Sequence, residues 1–193
     1  MQRVPGDAGG SIFQVNVDLT MAEPKSPIRE TDDEARALGR RLLAEARFAA
    51  LATLEPGTGC PLASRIAFAL DGEGRPISLM STLAYHTKAL TQNATCSVLV
   101  GEPGKGDPLA HPRITLQAQA IRLDKISEDH AQTRAHYLKQ HPKAALYVDF
   151  GDFFLFRFAV ENAYLNGGFG KAFVLNADDL GLDAGGFSEQ VRE

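Results

Sequence analysis

The sequence predicts an α+β, mainly β fold: an antiparallel sheet closed into a barrel, with a few peripheral helices. Three observations lead there. From Phe48 onward the chain falls into short runs rich in apolar and β-branched residues, which suit a pleated, half-buried surface. The runs are separated by Glu55-Pro56-Gly57-Thr58-Gly59 and Asp71-Gly72-Glu73-Gly74, compositions that join neighbouring antiparallel strands. Helical patterns are too few and too irregularly placed to supply the crossover that each parallel strand pair requires.

The elements follow in order. Thr31 to Glu34 reads as a capping box, with the Thr31 hydroxyl accepting from a free amide and Glu34 reaching back to another. Beyond it Ala35, Leu38, Leu42, Leu43 and Ala46 recur at helical spacing, with Arg36, Arg40, Arg41 and Glu45 outside the stripe. Strands are expected at about 48–54, 62–70, 76–82, 95–101, 113–123, 153–160, 162–166 and 171–175. Two further helices fall near 84–92 and 127–140, the second opened by Ser127, Glu128 and Asp129 and ended before Pro142. Gly101 to Pro112 is the one long irregular loop.

Composition narrows the function classes. The 193 residues fit one domain, expected at 31–180 between an N-terminal extension (1–30) and a C-terminal tail (181–193), the fold not needing the first twenty residues. No apolar run approaches the length of a membrane span. Residues 12–17 are too short an apolar stretch for the core of a signal peptide, so a cytoplasmic protein without a membrane partner is expected. A formal net charge of −4 gives no general attraction to nucleic acid. Cys60 and Cys96 are far apart and no histidine stands at zinc-ligand spacing, so no metal site is expected and both cysteines read as core or loop residues.

The segment Leu62 to Leu70 carries the most information. Alternation sets Leu62, Ser64, Ile66, Phe68 and Leu70 against Ala63, Arg65, Ala67 and Ala69. Alanines beside one arginine leave space for something flat and anionic, which the guanidinium can meet with its fork of donors; an arginine simply facing solvent is the competing reading. The next strand ends at Ser81 and Thr82 and runs into a short helix through Tyr85, His86, Thr87 and Lys88. Hydroxyls, a cation and free helix-start amides together make a pocket for phosphate, although Ser81 or Thr87 taken singly is explained by capping. Phe154, Phe156 and Phe158 alternate against Phe153, Leu155 and Arg157 and read as barrel core.

Three segments carry a resemblance: Ser64 to Phe68, Ser81 to Leu90, and Arg113 to Ala120. As an ordered set they are similar to the FMN-binding split barrel of the pyridoxamine 5'-phosphate oxidase-like superfamily. The haem-utilisation branch is the nearest likeness, through its His-Thr-Lys helix start and a late Gly-Gly-Phe-Gly-Lys-Ala segment, here Gly167 to Ala172. The resemblance spans about Phe48 to Leu180. It implies a homodimer with FMN in a groove shared by the two barrels. Arg65 would hold the phosphate with Ser81, Thr82, Thr87 and Lys88, while the backbone at Ile66 and Ala67 faces the ring and Arg113 reaches the flavin. His86 either joins that set or only caps its helix. Phosphate oxidases proper carry an Arg-x-His arrangement near the C-terminus, which this sequence lacks. The resemblance therefore implies an FMN-dependent oxidoreductase acting on a small molecule. A deazaflavin in place of FMN, a haem-binding or haem-degrading protein with a histidine on the iron, and a non-enzymatic flavin binder or sensor stand as alternatives. Among the other histidines, His111 is set apart by its place in the long loop.

Overall fold

A computed structural model describes residues 28–182. Most of the expected N-terminal extension and nearly all of the expected tail lie outside the described residues. The strands are β1 (Ile28–Arg29), β2 (Phe48–Leu54), β3 (Pro61–Ala67), β4 (Ala69–Leu70), β5 (Pro76–Ser81), β6 (Thr95–Val100), β7 (Arg113–Arg122), β8 (Phe153–Asn166) and β9 (Ala172–Asn176). Helices α1 (Asp33–Glu45), α2 (Tyr85–Gln92) and α3 (Glu128–Gln140) pack around them. No helix among the described residues is long and apolar enough to cross a membrane.

The sheet closes because one segment changes partners. β7 pairs with β6, β6 with β2 and β2 with β3. Past Phe68 the chain resumes as β4, which pairs with β5; β5 pairs with the first half of β8, and β8 returns to β7. Every pairing in this ring is antiparallel. The expected single strand 62–70 is thus broken at Phe68, whose side chain is fully buried. Its N–H donates to the Arg47 carbonyl at 3.0 Å, and its carbonyl accepts from His141 Nε2 at 2.8 Å. With its backbone groups spent on these two partners, Phe68 forms the corner at which the ring turns.

The two strands expected at 153–160 and 162–166 are one, β8. Its register against β7 shifts between Gln117↔Asn162 and Ala118↔Val160, which leaves Glu161 as an extra residue, a bulge that bends the strand. The first half of β8 serves the ring; the second pairs with β9, which carries the two-residue β1 in parallel at the rim. The main core lies inside, with Leu51, Val98, Ile114, Leu116 and Phe158 buried alongside Phe156. A second cluster, including Ile77, Tyr137, Val148 and Leu155, sits beneath α3. Cys96 belongs to the main core, where burial pushes its thiol up to about 12, whereas Cys60 is exposed.

The capping box is not formed as expected. Asp32, not Thr31, caps α1 and accepts from Ala35 N–H at 2.8 Å, while Thr31 donates to the Val174 carbonyl of β9 at 2.8 Å. The pull of a neighbouring strand on Thr31 hands the cap to the next residue, which is equally suited to it. On the buried face of α1, a Cβ added at Gly39 would stand 2.8 Å from Leu180 Cδ2, so the close approach of this helix depends on the missing side chain. α3 begins as expected, with Ser127 accepting from His130 N–H at 3.0 Å.

A charged network ties α3 to the ring. The Asp71 side chain, 2% exposed, accepts from Arg75 Nε at 2.8 Å and Arg157 Nε at 3.1 Å. The Arg157 side chain, 12% exposed, also forks onto both Asp129 oxygens at 2.8 and 2.7 Å. Arg157→Ala should lower stability to urea by about 3 kcal/mol, because it strips a buried carboxylate of one of its cations. The Arg157 hydrogen bonds hold the Asp129 carboxyl below its ordinary value of 3.8. Its contribution is therefore complete above that value and is lost as pH falls through the lower folded-state one. The stability difference between wild type and Asp129→Asn should shrink as unfolding is followed from neutral pH to below 3.8.

Candidate functional site

Ring closure decides which way each β3 side chain faces. Ile66 is buried, and Ser64, on the same side, places its hydroxyl 3.1 Å from His86 Nδ1 in the first turn of α2. Arg65, between them, must face outward. It is exposed, with its guanidinium carbon 5.1 Å from the Phe48 ring centroid. Ala63 is exposed and Ala67 half-buried on that same outward side.

From Arg65 a row crosses the outside of the sheet. Its pairs are Arg65↔Ala50, Ala50↔Leu99, Leu99↔Thr115, Thr115↔Tyr164 and Tyr164↔Val174. Leu99, Tyr164 and Val174 are 39%, 46% and 37% exposed, an apolar strip with a cation at one edge. Arg113 lies two residues before Thr115 and shares its face. Its guanidinium donates to the Leu109 and His111 carbonyls at 3.2 and 3.4 Å and so pins the loop before β7. Gly101 (φ 119°) lets that loop pass, since a Cβ there would meet Arg113 Cα at 2.6 Å. In the loop, His111 Nε2 stands 3.0 Å from the Lys105 carbonyl. A carbonyl only accepts, so Nε2 bears the proton and Nδ1 of the neutral ring keeps its lone pair.

At the start of α2 a second group forms. Ser81 donates to Asp152 Oδ2 at 2.6 Å and accepts from Leu83 N–H at 3.1 Å, and Thr82 N–H donates to the Asp152 carbonyl at 2.8 Å. The capping residue Ala84 offers no side-chain acceptor and the first turn holds no acidic residue, so its amides are open to an anion. Thr87 is 1% exposed and its hydroxyl has no hydrogen-bond partner. Lys88 is exposed, its ammonium 5.5 Å from the Tyr85 ring centroid. Burial pushes the half-buried His86 imidazole below its ordinary value.

The expected site residues therefore form two sets. Ser81, Thr82, His86, Thr87 and Lys88 gather at α2; Arg65, Ala67 and Arg113 lie on the outward face; the Ile66 side chain is in the core. The hydrogen bond joining β3 to α2 is Ser64–His86. Neither Arg65 nor Lys88 has a carboxylate at ion-pair distance among the described residues. The donors at α2, with an orphaned hydroxyl and uncapped amides, suit a phosphate, against which the Asp152 carboxylate acts. The outward strip suits a flat apolar group carrying its own anions. Two contributors escaped the sequence reading. Ser64 was discernible from its alternation with Arg65, but Asp152, 71 residues from Ser81, gave no local signal.

A closed antiparallel ring with an attached two-strand rim is a split β-barrel. The same fold occurs in a general stress protein 26 relative of the pyridoxinephosphate oxidase family from Clostridium acetobutylicum (15% identity, 78% of this chain and 99% of that one, TM-score 0.58); at that identity the likeness concerns the fold alone. The family model of the CREG β-barrel matches residues 30–180, and the chain belongs to that family. It is 43% identical over 100 residues to the chloroplastic non-canonical haem oxygenase HOZ of Arabidopsis thaliana, a match covering 51% of this chain and only 29% of that protein. HutZ, a haem storage protein of Vibrio cholerae, is 26% identical with a TM-score of 0.57 over 69% of this chain and 92% of its own. The split-barrel fold that the resemblance implied is present, and the sequence similarity to HOZ and HutZ lies on its haem-utilisation side.

Because burial favours the neutral His86 ring, its imidazole should remain uncharged at pH 6.5 and take a proton only below it. Stability then falls as pH drops through 6.5, where the unfolded chain binds the proton more readily. Imidazole NMR titration checks this, and a midpoint above 6.5 contradicts it.

Proposed function

We propose that this chain binds haem on the outward face of its barrel, as a member of the haem-utilising group. The observation that carries this reading is the row from Arg65 to Val174, with Arg113 and His111 at the head of the neighbouring strand. A porphyrin is flat and apolar with two carboxylates. The strip at Leu99 and Tyr164 offers it contact area, and Arg65 and Arg113 offer its propionates bidentate donors. His111, with a free lone pair at Nδ1, is the iron ligand in this reading. Bound haem would supply an iron centre whose reactivity follows its axial ligand and surroundings. The names of HOZ and HutZ, an oxygenase and a storage protein, support the ligand and leave both degradation and storage as activities.

The same face is where two copies would pair. Leu54 is also exposed there, and an uncovered apolar sheet face gains from burial against its own copy. The homodimer would enclose the ligand in a shared groove.

A second reading, an FMN-dependent oxidoreductase of a small substrate, is favoured by one observation, the uncapped start of α2 with the unpartnered Thr87 hydroxyl beside Lys88. Here the phosphate would sit on the α2 amides, with Ser81, Thr82 and His86 around it, and Arg65, the backbone at Ile66 and Ala67, and Arg113 would serve the flavin.

Hemin titration separates the two. A sharp Soret band that saturates at one haem per chain, weakened tenfold or more (about 1.4 kcal/mol) by His111→Ala, is the expected outcome. Failure to bind hemin, with quenching of FMN fluorescence instead, overturns the haem reading. In that case Arg65→Ala and Lys88→Ala should each weaken FMN by about 2–5 kcal/mol.

A further inference from the structure

On the other side of the sheet, between the first half of α1, β1 and the Gly167–Lys171 turn, lies a cleft of about 330 Å³. Arg29, Arg41 and Lys171 line it, over a floor that includes Leu38 and the buried Phe173. Phe173 and Val174 point to opposite sides of β9, so this cleft and the outward row do not share a face. We infer that it is a binding site for a compact dianion of the phosphate or phosphate-monoester class.

Charge pairing leads to this. Arg36, on the same helix, is held by Asp33 at 2.9 Å and Asp179 at 2.7 Å. Arg29, Arg41 and Lys171 have no carboxylate at ion-pair distance among the described residues. Asp32 and Glu34 also line the cleft, but Asp32 is spent as the α1 cap, and three cations against two carboxylates leave the cleft positive.

The backbone that carries Lys171 is held in a defined turn. Gly168 and Gly170 have φ of 108° and 68°, a backbone that side chains rarely adopt. Gly167 N–H donates to the Lys171 carbonyl at 2.7 Å and Lys171 N–H to the Gly168 carbonyl at 3.2 Å. This locked turn returns Lys171 to the start of β9. A Cβ on Gly170 would stand 4.0 Å from the nearest Arg29 guanidinium nitrogen, so Arg29 leans across toward the same turn. All three cations are exposed at the rim of the cleft, and a compact dianion seated between them would draw charge-assisted hydrogen bonds from each. The volume admits a phosphate ester.

Calorimetric titration with inorganic phosphate, glycerol phosphate and succinate, at matched ionic strength against chloride, tests this. Saturable binding of either phosphate at one site per chain is expected, weakened at least tenfold by Arg41→Gln and by Lys171→Gln. Arg122→Gln, at the far end of β7, should leave it unchanged. Tighter binding of the ester marks a phosphorylated metabolite as the source, and tighter binding of the free ion marks phosphate itself; both uphold the site. Absence of saturable heat, equal binding of succinate, or equal weakening by Arg122→Gln overturns it. So does displacement of bound hemin by phosphate, which would assign these cations to the haem instead.

Discussion

The structure depends on one constraint, the strict alternation of side chains along strands that have been forced into a closed ring. Once Ile66, Ile114, Leu116, Ala163, Leu165, Phe173 and Leu175 fill the inside, the residues between them have nowhere to go but out. Arg65, Thr115, Tyr164 and Val174 are those residues. The outward row is thus a by-product of packing the core, and a slip of one position in any of these strands would bury a polar or aromatic group and expose core. The surface proposed to take a ligand inherits its precision from the barrel beneath it.

Closure has a cost in regularity, and the irregular points organise the ends of the barrel. At Phe68 the chain leaves one neighbour for another, held by Arg47 and by His141 at the end of α3. At Glu161 the long strand bends from the ring toward the rim. The network from Asp71 through Arg157 to Asp129 fastens α3 across this framework. The candidate chemical groups, in the loop before β7 and the first turn of α2, are carried on ends that these fixed points hold.

Much of this was legible because it is local. The alternation at 62–70 assigned Arg65 and Ser64 to opposite faces, the turn compositions divided the strands, and Ser127 announced α3. What escaped was decided at a distance. No pattern around Phe68 indicates that Arg47 and His141 will claim its backbone, and a single unpaired residue such as Glu161 has no signature before its partner strand is known. Thr31 and Asp32 are equally good caps on paper; the Val174 carbonyl decides between them. At the candidate site the clustering of Ser81 to Lys88 followed from sequence proximity. The capture of the Ser81 hydroxyl by Asp152 and the pinning of His111 by Arg113 needed the fold.

The contrast between the two thiols has a practical side. Cys96 is sealed within the barrel and its sulfur holds its proton far into alkaline conditions, so it is chemically silent toward alkylating dyes near neutral pH. Cys60, on the hairpin joining β2 to β3 a few residues from Arg65, is open to solvent. The natural chain therefore comes with a single attachment point for a fluorophore at the edge of the outward face, close enough to report its occupancy without any engineered cysteine.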